Sequence, residues 1–311
     1  MEKHKNAGGC KSLRPCLLSA DLANRPWTAS AHRETRMDMR TIEQKRRHYE
    51  IERELARKLR CATREERKEL YGTVYKELYA RVPDIPHLIG AGNGYSRAMD
   101  VAKLLGFLER FLIGKQTFLE IGPGDFKLSM AVSKLVPKVF AVDVTDEVRS
   151  GISLPSNVTF LESDGCHIPV PANCIDVALS DQVMEHLHPD DAESQLESIY
   201  NALAPGGAYI CITPNRLYGP HDISRYFDPV ATGLHLREYS VTEVIRMFKR
   251  VDFAHVKAYS FTQRISRFPV PTFAILAIEK TLDALPVGIR RSLAFSSGLK
   301  WIMRSRVVGM K

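Results

Sequence analysis

Four acidic side chains stand where short apolar runs end: Glu120 ahead of Ile121-Gly122-Pro123-Gly124, Asp143 in the run 138–144, Asp164 in Ser163-Asp164-Gly165, and Asp181 in Ser180-Asp181-Gln182. One acid at such a place reads as a helix cap or a solvated turn. Four in succession describe a ligand rich in hydroxyl, amino or positively charged groups. Gly122 and Gly124 let the backbone turn tightly and approach that ligand with no Cβ in the way. The start of a helix follows, with unpaired N–H groups. A dinucleotide pyrophosphate wants G-x-G-x-x-G, and Lys127 stands where the third glycine would be. Glu120 beside the turn also disfavours a phosphate and suits a cation. Asp143 lies 19 residues past Gly124, the place of a carboxylate that accepts two ribose hydroxyls. Asp164 is placed to accept from an adenine amino group.

The histidines offer proton transfer near neutral pH. His186 follows the fourth run, and His221 lies in Asn215–Asp222; these two are the catalytic candidates. Each also has a plain structural reading, His186 as a residue packed at a helix start and His221 as a loop staple. Asp222 is placed to orient His221. His188, before Pro189, reads as a turn. Tyr218 and Arg225 read as shaping residues of the same loop, and Ser240 after His235–Tyr239 as the cap of the next helix. The six cysteines form no C-x-x-C pair, so no metal site is expected and a reducing, cytoplasmic compartment is.

Such residues need strands and helices to align them. Short apolar runs at 117–122, 138–144, 158–162, 175–180 and 207–213 alternate with helical stretches at 127–136 and 190–203. A helix at 241–250 and a sixth strand near 252–260 follow. This alternation predicts an α/β fold: a Rossmann-like, mostly parallel sheet with helices on both faces, over residues 85–262. Residues 1–36 lack periodicity and read as disordered. Residues 37–84 predict a helical arm, with Ile51, Leu55 and Leu59 on one face and Thr63-x-x-Glu66 as a capping box. That arm suits packing beside the core, a substrate lid or a dimer contact. Residues 263–311 read as an amphipathic basic helical tail, with Phe273, Ile275, Ile278, Leu282 and Leu285 as its apolar stripe. No seventh strand is visible after residue 261.

The net charge of +8 hides a division: residues 82–289 hold 18 Lys and Arg against 24 Asp and Glu. The central domain is therefore acidic and unlike a phosphate-binding surface, so no nucleic acid is expected as partner. The basic excess lies in residues 1–81 and 290–311. The tail, with Trp301, Ile302, Val307 and Val308, suits either an anionic membrane surface or a helix packed on the domain. A peripheral membrane location thus stands beside the cytoplasmic one.

In these motifs the chain resembles the class I S-adenosylmethionine (SAM)-dependent methyltransferases, and within them the small-molecule branch that includes the ubiquinone-biosynthesis type. Glu120-Ile121-Gly122-Pro123-Gly124 resembles the first motif, (D/E)-x-G-x-G. Asp143 matches the ribose position and Asp164-Gly165 the adenine position. Ser180–His186 is similar to the segment beside the methionine part and the methyl group, and Leu203-Ala204-Pro205-Gly206-Gly207 to the turn before the fifth strand. The resemblance implies SAM as cofactor, bound by Glu120, Gly122, Gly124, Asp143, Asp164, Gly165, Asp181 and Gln182. It also implies transfer of a methyl group to a small-molecule acceptor, such as a hydroxyl of a sugar, lipid or quinone-like intermediate. Phe126 replaces the motif's third glycine and implies a bulkier wall beside the cofactor. A seventh strand, antiparallel, is implied by the family's fold. Two other functions compete: a nucleic-acid methyltransferase, for which the (N/D)-P-P-(Y/F) motif after the fourth strand is missing, and a SAM-binding scaffold without catalysis.

Overall fold

The computed structural model describes residues 38–85, 94–146, 151–260, 268–296, 299, 303 and 306–311. The expected disorder of residues 1–36 and the tail residues Trp301 and Ile302 lie outside them.

Eight strands make one sheet: β1 Thr117–Ile121, β2 Lys138–Asp143, β3 Val158–Glu162, β4 Ile175–Asp181, β5 Leu203–Ile212, β6 Ala254–Tyr259, β7 Pro269–Val270 and β8 Arg306–Met310. Their order is β3-β2-β1-β4-β5-β8-β6-β7. The pairs among the first five are parallel, whereas β8 runs antiparallel to β5 and β6. Strand order reverses between β1 and β4, so the carboxyl ends of these strands open a crevice where ligands of such sheets bind.

Alternation along each strand feeds two cores. Leu119 and Ile121 of β1, Ala178 of β4 and Tyr209 and Cys211 of β5 pack on the face covered by α1 Ile42–Cys61, α2 Arg64–Arg81, α5 Pro189–Ala202 and α6 Val241–Arg250. Phe118, Val177, Leu179 and Ile210 pack on the other face, with α3 Gly94–Leu112 and α4 Lys127–Val132. The sheet is covered on both faces, as parallel pairing demands.

The two arm helices start from capping boxes, Thr41 with Gln44 and Thr63 with Glu66. Each supplies partners for helix-end N–H groups that nothing else would bond. Ile51, Leu55 and Leu59 are buried together with Val74 and Leu78 of α2, so the apolar stripes of both helices enter the core. The stretch Arg40–Lys311, arm included, forms one compact unit.

The C-terminal region differs from the expectation of a tail alone. Two helices, α7 Thr272–Asp283 and α8 Val287–Ser296, are followed by β8, which fills the place between β5 and β6. This is the antiparallel strand that the sequence did not reveal. It is five residues long, and its partners lie about a hundred and about fifty residues earlier in the chain. Gly309 is needed there: a Cβ would sit 2.6 Å from Phe248 and 2.7 Å from Phe253. Val307 and Val308 are buried in the sheet rather than offered to a membrane. In α7, Ile275 and Leu282 are buried as the stripe requires, but Phe273 is 78% exposed. Among the described residues, no helix is long and apolar enough to cross a membrane.

Candidate active site

The glycine turn leaves β1 with Gly122 at φ 68° and Gly124 at φ 52°, both in the left-handed region. A Cβ on Gly122 would collide with Val183 at 2.4 Å, whereas one on Gly124 would meet nothing within 4 Å. The first glycine thus serves packing, and the second faces open space where a ligand can approach the backbone. Phe126 also takes a left-handed conformation, as the N-cap of α4. Its ring does not form the wall that the sequence implied. It is buried in the core against Phe160, with ring centres 5.9 Å apart.

The four acids line one edge. Glu120 is buried, and the Ser129 hydroxyl of α4 donates to it. Asp143 accepts from the Val144 N–H at 2.7 Å. Burial pushes its carboxyl up to about 6, against the pull of the Val144, Thr145 and Gly124 N–H groups. Its contact with the Gly124 N–H sets this carboxylate directly across from the glycine turn. Asp164 accepts from Cys166 N at 2.9 Å and His167 N at 2.6 Å, which shapes its own loop. Gly165, at φ 85°, is packed so closely on Tyr71 of α2 that a Cβ would lie 2.7 Å from the ring. It makes room for the arm. Asp181 ends β4 beside the buried Arg306 of β8, whose guanidinium feels its charge. Gln182 is exposed, has φ 61°, and donates its N–H to Ile212.

Such a donor set fits SAM. The carboxylates match hydroxyls, an amine and a sulfonium, and four acids along one edge disfavour a phosphate.

The second half of the edge is made by the arm and the loop 213–240. Arg67 forks onto Asp191 with contacts of 2.5 and 2.8 Å, at side-chain exposures of 5% and 0%. Tyr71 donates to the same carboxylate at 2.7 Å and accepts from His188 N at 2.9 Å. The backbone of α2 at Gly72 runs against the Val144 carbonyl just past Asp143. Helix α1 holds the loop: Glu52 accepts from Leu234 N at 3.0 Å, and Arg60 donates to the carbonyls of Thr232, Gly233 and His235. Of the three arm readings, the contacts describe packing beside the core, here over the carboxyl edge of the sheet as a roof.

Under this roof lies a buried polar cluster. His186 stands edge-on to Tyr75 of α2, at 5.9 Å, and to His235, at 4.8 Å. Its Nδ1 lies 3.1 Å from the Leu234 carbonyl. Glu185 is wholly buried and accepts from the Thr213 hydroxyl at 2.9 Å; burial raises its carboxyl to about 7. Burial opposes charge on His235, but the Glu238 hydrogen bond and the nearby Glu185 and Asp222 lift it to about 9. Tyr75, raised well above 10 by burial, stays a neutral phenol between Asp143 and the Glu52–Glu185 side.

His221 is held within its own loop, as its staple reading expects. Its Nε2 is 3.1 Å from the Asn215 carbonyl, its N–H donates to Glu238, and its ring meets Tyr218 edge-on at 4.6 Å. Asp222 spends its oxygens on Ser224 and Gly233 N–H rather than on orienting His221. His188 caps α5, Ser240 caps α6 in a capping box with Glu243, and Arg225 is exposed. Sequence reasoning missed Tyr75, and it named Glu185 and His235 only as members of longer segments, with no role. Glu185, next to His186, and His235, three residues before Glu238, carried signals that could have marked them.

Residues 119–211 match the model of a family described as a methyltransferase domain. No curated protein matches the chain. Solved structures similar to it include a SAM-dependent methyltransferase from Archaeoglobus fulgidus, at 15% identity over 69% of this chain and 94% of that one, with a TM-score of 0.49. Another is the 1,6-didemethyltoxoflavin-N1-methyltransferase of Burkholderia thailandensis with bound 1,6-didemethyltoxoflavin and S-adenosylhomocysteine, at 16% over 80% and 91%, TM-score 0.46. A third is a SAM-dependent methyltransferase from Aquifex aeolicus, at 18% over 68% and 89%, TM-score 0.41. The segment matched by the family model runs from within β1 into β5 and contains Glu120, Gly122, Gly124, Asp143, Asp164 and Asp181; over it the chain is similar to a methyltransferase domain, which supports an enzyme with SAM as its cofactor.

Proposed function

We propose that this methyltransferase acts on a small molecule enclosed between the loop 213–240 and the arm. The observation that carries the reading is the roof: Arg67, Tyr71, Glu52 and Arg60 tie the arm to both sides of the carboxyl edge, a cover that suits a compact acceptor better than a polymer. The acidic surround supports it, since a nucleic-acid backbone would be repelled.

The cofactor brings an electrophilic methyl group on a sulfonium when bound. The chain's residues do the rest. Asp143 holds the ribose, Gly124 lets the amino-acid part approach the backbone, and Glu120 balances positive charge. Asp164, Gly165, Asp181 and Gln182 complete the cofactor wall. The roof excludes water and fixes the acceptor in line with the methyl carbon, which is the main source of rate in a displacement of this kind. His186 faces the acceptor side and handles the proton of an acceptor hydroxyl, while His221 keeps the loop in shape.

Calorimetric titration with S-adenosylhomocysteine tests the first half. Micromolar binding by the wild-type chain, strongly weakened in Asp143→Ala, is expected. Labelled SAM with pools of hydroxylated small molecules tests the second half. Transfer only to RNA or DNA would overturn the small-molecule reading.

A further inference from the structure

The cluster beyond β4 has a geometry that cofactor binding does not use. Glu185, His186 and His235 each offer one ligand-type atom, and these atoms lie within 4.8 Å of one another. Glu185 and His186 come from the short turn after β4, and His235 from the loop 213–240.

Each of the three is held from behind. His235 Nδ1 is 2.8 Å from Glu238 Oε1, His186 Nδ1 is 3.1 Å from the Leu234 carbonyl, and the Thr213 hydroxyl donates to Glu185 Oε2 at 2.9 Å. A carboxylate or carbonyl on one imidazole nitrogen is the arrangement that orients the other nitrogen toward a metal and raises its basicity. A second observation points the same way. Glu185 is 0% exposed, and among the described residues its Oε1 meets no hydrogen-bond partner beyond the reach of its own backbone N–H. A dry, unpartnered carboxyl oxygen is costly, so its retention calls for a partner that the protein itself does not supply.

We propose that Glu185, His186 and His235 bind a divalent transition-metal ion of the zinc type. Two imidazoles and one carboxylate are the donors of open zinc, cobalt or ferrous sites, whereas magnesium and calcium prefer oxygen alone. Metal–ligand bonds near 2.0–2.2 Å put tetrahedral ligands about 3.4 Å apart, so side-chain rotations that draw the three atoms together by an ångström or so complete the site. The half-buried His186 gives the ion a way in. The expectation of no metal rested on cysteine spacing, and this site uses no cysteine. The fourth position is left for an oxygen ligand. Taken by an acceptor hydroxyl, it would make His186 a ligand instead of a base, with the ion lowering the hydroxyl's pKa. That role rests on the methyl-transfer reading, whereas ion binding does not.

The test uses the untagged full chain stripped with chelator. Cobalt(II) is followed by visible absorption and zinc by calorimetry, with S-adenosylhomocysteine titrated in parallel. One ion per chain is expected, with the intense visible bands of four- or five-coordinate cobalt. Glu185→Gln and His235→Ala should each weaken zinc about a hundredfold or more, and Glu238→Gln about 10–100-fold as an orienting residue. Should Glu185→Gln fail to melt cooperatively, the half-exposed His186→Asn takes its place. Folded wild-type chain that binds S-adenosylhomocysteine but no ion overturns the metal site and leaves the methyltransferase reading intact. So does zinc binding unchanged by His235→Ala. Ion binding without S-adenosylhomocysteine binding supports the site and removes the cofactor reading instead.

Discussion

The two halves of the ligand edge are built differently. The cofactor half consists of strand ends and tight turns, with Gly122 and Gly124 at positive φ and Asp143 and Asp164 bonded to N–H groups within three residues. The acceptor half consists of contacts between distant segments: Arg67 with Asp191, Glu52 with Leu234, and Tyr75 with His186. A local turn survives changes elsewhere and recurs wherever the same cofactor is bound. A roof assembled from remote segments depends on the whole chain, and under the proposed function it is the part that would meet the acceptor.

The sharpest break in this comparison is Arg67→Ala. It strands Asp191, which is 0% exposed, and should cost about 3–5 kcal/mol of stability in a denaturant melt. If the halves are separable, S-adenosylhomocysteine affinity measured on the remaining folded protein changes only a few-fold. Asp143→Ala should do the opposite. Loss of charge-assisted bonds to the ribose weakens S-adenosylhomocysteine by about 2–3 kcal/mol, while the melt is unchanged or improved because a carboxylate held unfavourably in burial has gone. Gly309→Ala probes neither half but the strand that closes the sheet. Its Cβ must displace Phe248 and Phe253, and a loss of about 1–3 kcal/mol in thermal or urea unfolding is expected. A melt like that of the wild type would show that β8 does not sit in the sheet.

Acid gives a smaller and purely local effect. Asp143 has a folded-state pKa raised to about 6 from 3.8, so its protonation favours the free fold. That contribution is full below about 3.8 and is lost as pH rises through about 6. The cofactor needs the carboxylate. Affinity for S-adenosylhomocysteine should therefore fall as pH drops through 6, with proton release on binding near that pH, as calorimetry in buffers of different ionisation enthalpy would detect. The smallest effect belongs to Lys127→Ala. Its exposed pair with Asp125 beside the glycine turn is worth less than about 0.5 kcal/mol to either folding or binding.

Legibility in the sequence followed the same division. Strands β1 to β4, the glycine turn and the acids were readable because each is specified within about ten residues. Three things were not. Strand β8 is short, begins with an arginine and pairs only with strands far back in the chain. His235 meets Glu185 only once the intervening stretch of some 50 residues, α5 and β5 included, has folded. Phe126 occupies a position where motif logic puts ligand, yet core packing claims its ring. In each case the deciding partner lies far away in the sequence, where periodicity and spacing carry no information.

The place of β8 has a bearing on how the protein is made. Until residues 306–310 emerge from the ribosome, β5 and β6 each keep one flank of backbone N–H and C=O groups unpaired, side by side with a slot one strand wide. The sheet cannot be completed as it is synthesised, and the nascent chain must shield two sticky edges for the interval in which α7 and α8 are translated. Chaperone dependence and aggregation during expression should track that interval.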